Sequence, residues 1–106
     1  MIYVNAKNYS LKNNFSLTAF PNPSTGKTTI SVELPSNNQN SKALIKIYDL
    51  TGELVNIIPV DNVRDSFASV TWNGKGKYND LSSGLYTCSL EINGNTVASQ
   101  KLIIKK

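Results

Sequence analysis

The chain contains no histidine and only one cysteine, Cys88, and these shortages exclude whole classes of chemistry. Without a second cysteine no disulfide can form within the chain, so cysteine usage does not identify a redox compartment. Without histidine, nucleophilic catalysis by a Ser–His or Cys–His pair is excluded. No stretch approaches the roughly 18 apolar residues of a membrane-spanning helix. Residues 1–7 lack the apolar core of a secretory signal, so an exported protein is expected to contain this chain as one part.

Charge is modest and scattered along the chain. Lys and Arg number 11 and Asp and Glu number 7, which gives a net charge of +4 over 106 residues. Only Lys105 and Lys106 are adjacent basic residues, so the sequence has no basic stripe of the kind that binds a phosphate backbone. We therefore expect no nucleic-acid partner. Hydrophobic residues make up 40% of the chain, which is normal for a single folded domain.

Apolar and polar residues alternate repeatedly with the period of two that is typical of half-buried β-strands. The central stretch, residues 43–55, is predicted to be a hairpin in which Asp49 and Gly52 form a tight turn. Strands are predicted at residues 15–20, 28–34, 43–48, 54–58, 67–72, 85–92 and 96–104. About seven short antiparallel strands separated by turn signals indicate an all-β, immunoglobulin-like, two-sheet sandwich.

The segments between these strands are predicted to be turns, loops and a linker. Asn93-Gly94 is the strongest hairpin signal, because both residues tolerate a positive φ. Residues 35–41 and 59–65 are predicted to be polar connections. Residues 1–14 are predicted to be a linker or an expression remnant, with a stray strand at residues 2–4. The folded domain is expected to span residues 15–106.

Two aromatic residues are predicted to face the core. Trp72 follows Ala68 and Val70 on the inward side of a strand, so core packing is favoured over a sugar-binding platform with Tyr78 and Tyr86. Tyr86 lies two residues before Cys88, as in the tyrosine corner of immunoglobulin-type folds. Because no partner cysteine exists, Cys88 is predicted to be a small buried hydrophobe.

Motifs that would carry chemistry are incomplete. Gly26-Lys27-Thr28 resembles the end of a phosphate-binding loop, but Pro21 replaces the required earlier glycine and a strand follows. Gly74-Lys75-Gly76 lacks the third glycine and the βαβ context of a dinucleotide site. A calcium site remains open as an alternative, although none of its candidate ligands has the spacing of a known loop. Those candidates are Asp49, Asp61, Asp65 and Asp80, together with Asn carbonyls. We expect no cofactor and no small-molecule substrate.

Five short segments nevertheless occur in a characteristic order. They are Phe20-Pro21-Asn22-Pro23, Ile47-Tyr48-Asp49-Leu50-Thr51-Gly52, Val70-Thr71-Trp72-Asn73-Gly74, Leu81-Ser82-Ser83-Gly84-Leu85-Tyr86 and Gln100-Lys101-Leu102-Ile103-Ile104-Lys105-Lys106. Together they resemble the type A C-terminal sorting domain of the type IX secretion system in Bacteroidetes. The resemblance covers about residues 15–106. One difference is the compact loop at residues 76–79, where the family usually has a longer polar loop.

The resemblance implies a non-catalytic β-sandwich attached to a larger secreted cargo protein. The cargo crosses the inner membrane by an N-terminal signal and transits the periplasm, and such a domain then directs it through an outer-membrane translocon to the cell surface or the medium. A sortase-like protease then cuts in the linker, here before Phe15. The recognition residues that the resemblance implies are Phe20, Pro21, Asn22, Pro23, Tyr48, Asp49, Gly52, Gly84, Tyr86, Lys101, Leu102, Ile104, Lys105 and Lys106.

The terminal strand is the part that we expect the export machinery to read. Lys101 and Lys105 alternate with Leu102 and Ile104, which predicts one basic outward face and one packing face. A receptor could contact an exposed turn or add a strand along an unpaired edge. The main alternative is an accessory sandwich that binds carbohydrate or protein on a secreted enzyme, which a row of exposed aromatics would favour. An enzyme is the weakest interpretation.

Overall fold

The computed structural model describes residues 15–35, 42–61, 63–77 and 80–106. Within these ranges the chain forms seven β-strands and no helix, which confirms the all-β prediction. The strands are β1 (Ser16–Phe20), β2 (Thr28–Glu33), β3 (Ala43–Tyr48), β4 (Leu54–Val60), β5 (Phe67–Trp72), β6 (Gly84–Ile92) and β7 (Asn95–Ile104). No helix among the described residues is long and apolar enough to cross a membrane.

The strands form two antiparallel sheets that pack as an immunoglobulin-like sandwich. One sheet has three strands in the order β1-β2-β5, and the other has four in the order β4-β3-β6-β7. The hairpin at the centre of the sequence supplies β3, which lies between β4 and β6, and β4, which lies at an edge. At the opposite edge of this sheet lies β7, which pairs with β6 along its length.

Turn residues connect neighbouring strands where the sequence predicts them. Gly52 has a φ of 90°, and the backbone amide of Gly52 donates a 3.0 Å hydrogen bond to the Asp49 carbonyl. In the β6–β7 hairpin Asn93 has a φ of 51° and Gly94 a φ of 89°. Positive φ at both central residues is the requirement of a type I′ turn, so the Asn-Gly prediction is confirmed.

The predicted end of the fourth strand is wrong by two residues, whereas the other strand boundaries differ from the prediction by at most one. Residues 59–65 were expected to form a polar connection, but β4 continues through Val60. Pro59 pairs with Leu44, and Val60 is buried opposite Ala43. Proline is tolerated here because β4 is an edge strand with one side free of ladder hydrogen bonds. The strand predicted at residues 2–4 and most of the 35–41 loop lie outside the described residues.

The core lies between the two sheets and is built from the inward positions of all seven strands. Trp72, Tyr86 and Cys88 are buried in it, as the alternation predicts. Burial raises the pKa of the Cys88 thiol to about 12. The thiol therefore stays protonated at neutral pH and acts as a small apolar side chain.

Candidate functional site

The five sequence segments converge on one end of the sandwich, which we call the motif end. It consists of residues 20–28, 48–54, 72–77, 81–86 and 101–106. The register places these segments together, because β1 ends at Phe20 and β2 begins at Thr28, opposite Trp72. In the other sheet Gly84 pairs with Ile104, and Ile104 in turn forms a parallel bridge with Ser24.

The turn between β3 and β4 is organised by the Asp49 carboxylate. Its Oδ1 accepts hydrogen bonds from the Thr51 amide at 2.9 Å, the Thr51 hydroxyl at 2.7 Å and the Glu53 amide at 2.9 Å. The Thr51 hydroxyl, followed by the backbone amide of Glu53, lowers the pKa of Asp49 below its ordinary value. This network leaves Leu50 78% exposed at the tip of the turn. Asp49 and Gly52 therefore shape the turn, and Leu50 is the side chain that it displays.

Replacing Asp49 with Asn is expected to destabilise the fold in a pH-dependent way. Because the folded-state pKa lies below the unfolded value of about 3.9, the ionised carboxylate stabilises the fold above roughly pH 4. That stabilisation is lost as pH falls through the folded-state pKa. Urea titrations between roughly pH 2 and 7 should therefore show a gap between parent and Asp49→Asn that narrows as pH falls.

The control for this prediction is Asp61→Asn, which removes an exposed carboxylate just after β4, away from the motif end. This variant measures how much of the change in stability comes simply from losing one negative charge at the surface. A gap between parent and Asp49→Asn that stays constant over the whole pH range would contradict the role assigned to the ionised carboxylate.

A shallow groove separates this turn from the start of β6. The groove has a volume of about 270 Å³ and is lined by residues 49–51 and 82–86. On its β6 side the Tyr86 hydroxyl donates a 2.7 Å hydrogen bond to the Ser82 carbonyl. This bond to a backbone carbonyl upstream has the geometry of a tyrosine corner, as predicted from the spacing of Tyr86 and Cys88. Tyr86, whose side chain is buried in the core, thus fixes the segment that leads into β6.

The Phe20–Pro23 segment lies directly against the terminal strand. The Asn22 side chain donates from Nδ2 to the Lys101 carbonyl at 2.8 Å and accepts at Oδ1 from the Ile103 amide at 2.9 Å. The Ser24 amide donates to the Ile103 carbonyl at 2.8 Å, and the Lys105 amide donates to the Ser24 carbonyl at 2.7 Å. The first and last of the five segments therefore form one structural unit.

Hydroxyl groups fix the loop that carries Asn22. Buried Ser24 donates from its Oγ to the Lys27 carbonyl at 2.7 Å and accepts from the Gly26 amide at 3.1 Å. The Thr28 hydroxyl donates to the Pro21 carbonyl at 2.8 Å. Residues 26–28 thus lead from this turn into β2, as expected of an incomplete phosphate-loop motif. Sequence reasoning missed Ser24, although a hydroxyl residue after Pro-Asn-Pro is a recognisable turn signal.

The third segment contacts this loop from the end of β5, which belongs to the same three-stranded sheet as β1 and β2. Trp72 Nε1 donates to the Lys75 carbonyl at 2.9 Å, which also accepts from the Asn56 side chain of β4 at 2.9 Å. Gly74 has a φ of 79°, and a Cβ at this position would lie 2.7 Å from the Gly26 carbonyl oxygen. Only glycine fits such a close approach, so Gly74 couples the β5 end to the loop of residues 24–28.

The terminal strand displays a basic and partly apolar outward face. Leu102 and Ile104 are buried, whereas Lys101 and Lys105 are exposed and Ile103 is 43% exposed between them. The ion pairs of the described residues, Lys46–Glu91 and Lys75–Asp80, do not involve the terminal lysines. The Lys106 amide donates to Ser83 Oγ at 2.9 Å, which fixes the end of the strand. Sequence reasoning missed Ile103, whose position between two outward lysines signals exposure.

The described residues of the motif end do not form an evident metal-binding site or sugar-binding platform. Over residues 15–35, 42–61, 63–77 and 80–106 no group of three or more acidic, His or Cys side chains is positioned to hold a metal. Asp49 is engaged in its turn, and Asp80 lies 3.7 Å from the Lys75 ammonium. Trp72 and Tyr86 are buried and cannot form a sugar platform, while Tyr78 lies outside the described residues.

Comparison with known proteins identifies a matching family and a similar fold. The profile of the secretion system C-terminal sorting domain matches residues 18–105. A chain from a solved structure, "Crystal structure of dimeric latent PorU from Porphyromonas gingivalis", is similar with 28% identity and a TM-score of 0.64. The similarity covers 83% of this chain but only 9% of that protein. No curated protein is similar enough to count as a match.

The family match begins within β1, includes the other six strands in full and reaches all five segments of the motif end, stopping one residue before Lys106. Members of this family are non-catalytic sorting signals of the type IX secretion system, carried by secreted or cell-surface proteins. The chain therefore belongs to the type IX secretion C-terminal sorting domain family.

Proposed function

We propose that residues 15–106 direct an attached cargo protein through the outer-membrane translocon of the type IX secretion system. The cargo first crosses the inner membrane by its own N-terminal signal and passes through the periplasm. The observation that carries this proposal is the family match over residues 18–105 of a folded sandwich. The convergence of the five segments on one end supports it, because a receptor can contact them together.

The outward face of β7 is the part of the motif end best suited to recognition. Lys101 and Lys105, which form no ion pair with the described residues, lie on either side of the half-exposed Ile103. Phe20, 79% exposed, adds a large apolar side chain at the end of β1, just before the loop that contacts this strand. An acidic partner surface with an apolar centre is complementary to this combination. We infer that the export machinery contacts this face.

Cleavage is proposed to occur before Phe15, by the sortase-like protease of the same secretion system. Phe15 is buried against the core and Ser16 begins β1, so a cut after this point would remove part of the sandwich. Residues 1–14 then supply the substrate segment, and the cargo is released or attached to the cell surface.

A fusion experiment tests export and cleavage together. A fluorescent cargo with a signal peptide is joined to the complete chain and expressed in a bacterium that has the type IX system. We expect the cargo outside the cell, and we expect its mass to place the cut before Phe15. The control is the same cargo without residues 15–106, which should remain in the periplasm.

Different outcomes of this experiment would contradict the sorting role and the cleavage. Cargo that stays in the periplasm with the domain attached would contradict the sorting role. Exported cargo that keeps the whole domain would contradict cleavage alone. Binding of carbohydrate is not favoured as a second function, since Trp72 and Tyr86 lie in the core.

A further inference from the structure

The Asn22 side chain takes the place of a peptide group at the outer edge of β7. Its amide donates to Lys101 and accepts from Ile103, as a neighbouring strand would do. Ser24 continues the pattern through its own amide and carbonyl. The carbonyls of Lys101 and Ile103 and the amides of Ile103 and Lys105 are therefore all occupied along this edge.

The segment that covers the edge is itself a poor template for another strand. Pro21 and Pro23 flank Asn22, and neither has a backbone N–H to offer to an incoming chain. An uncovered edge strand presents a row of unpaired donors and acceptors that other chains can pair with. Addition of a partner strand along the terminal strand, one option considered from the sequence, is therefore disfavoured at residues 101–105.

We propose that Asn22 is a positioning residue that closes the C-terminal part of the β7 edge, at residues 101–105, to strand addition by a partner or by another copy of this chain. It follows that a partner of the sorting domain contacts the outward side chains of Lys101, Ile103 and Lys105, while the backbone edge stays covered. This consequence rests on the proposed sorting function. The closure of the edge does not, because it concerns the folded domain alone.

Two substitutions separate the donor and acceptor halves of the Asn22 amide. Asn22→Ala removes both hydrogen bonds to β7, whereas Asn22→Asp keeps an acceptor for the Ile103 amide and loses the donor to Lys101. The control is Asn95→Ala, an exposed position at the other end of the same strand. All variants are made in the complete chain, so that the folded domain is the same throughout.

The first measurement is amide hydrogen exchange followed by NMR. Loss of one hydrogen bond predicts that the Ile103 amide exchanges roughly tenfold faster in Asn22→Ala, with little change in Asn22→Asp or Asn95→Ala. The Leu102 residue, paired with Tyr86 of β6, reports general destabilisation and should keep its rate in all variants. An unchanged Ile103 rate in Asn22→Ala would overturn the proposal.

The second measurement is analytical ultracentrifugation over a range of concentrations. An opened edge predicts that Asn22→Ala associates with itself more strongly than the parent and the Asn95→Ala control. Faster Ile103 exchange without increased self-association would contradict the proposal that Asn22 prevents strand addition. Asn22 would then stabilise β7 without protecting its edge from other chains. Neither measurement uses the secretion system, so failure of the sorting proposal would leave both results interpretable.

Discussion

Replacing Trp72 with Ala is expected to lower the free energy of unfolding by about 3–5 kcal/mol, the usual range for deleting a large buried aromatic. The side chain is only 3% exposed, and its indole N–H donates to the Lys75 carbonyl. The substitution leaves a cavity between the sheets and removes a bond that holds the loop after β5. Denaturant titration of parent and variant measures the difference.

The matched control is Phe67→Ala at the other end of the same strand. Phe67 is 51% exposed, and its hydrogen bonds to Arg64 use backbone atoms that alanine retains. Because about half of this side chain is already exposed, its loss should cost clearly less than the loss of Trp72. A Trp72→Ala effect below about 1 kcal/mol would instead place Trp72 among surface residues, and it would revive the carbohydrate-binding interpretation.

Strand positions were predictable because burial on one face imposes a period of two. In β2 the apolar residues Ile30 and Val32 are both buried, and in β3 the same holds for Ile45 and Ile47. The error in β4 has a physical reason. Pro59 signals a break only where both sides of a strand must pair, and the alternation of a segment does not reveal that it lies at an edge.

The motif end was less predictable, because its contacts join distant parts of the chain. The bonds of Asp49 lie within four residues, so they follow from local turn chemistry. Asn22 and Ile103, in contrast, are 81 residues apart. Their contact depends on which strands share a sheet and on the position of β7 at the edge of its sheet. The alternation of apolar and polar residues along the sequence reveals neither. Asn22 was identified from the sequence through the family resemblance, but its contact with Ile103 becomes visible only in the fold.

The terminal lysines are expected to contribute to export but little to folding. Substituting Lys101, Lys105 and Lys106 with Ser leaves the buried Leu102 and Ile104 in place. The free energy of unfolding should therefore change by no more than about 1 kcal/mol. The matched control replaces Lys27, Lys42 and Arg64 with Ser, which removes the same positive charge from exposed positions outside β7.

Deleting residues 101–106 should have a much larger effect. It removes the two buried side chains Leu102 and Ile104, uncovers part of β6 and leaves Asn22 and Ser24 without their β7 partners. We expect the deletion variant to unfold at lower denaturant concentration than the parent or to fail to fold. As a fusion it should be retained in the periplasm, whichever face the export machinery contacts.

The most direct test of the account compares export of the triple-lysine variant with export of its charge-matched control. Both are fused to the same fluorescent cargo, and the fraction of fluorescence outside the cell is measured in a bacterium that has the type IX system. The account predicts that the control is exported like the parent and that the triple-lysine variant is exported less, while both retain parental stability. Equal export of the parent and the triple-lysine variant would contradict the assignment of the signal to the outward face of β7, and parental export of the deletion would contradict any role of this strand in sorting.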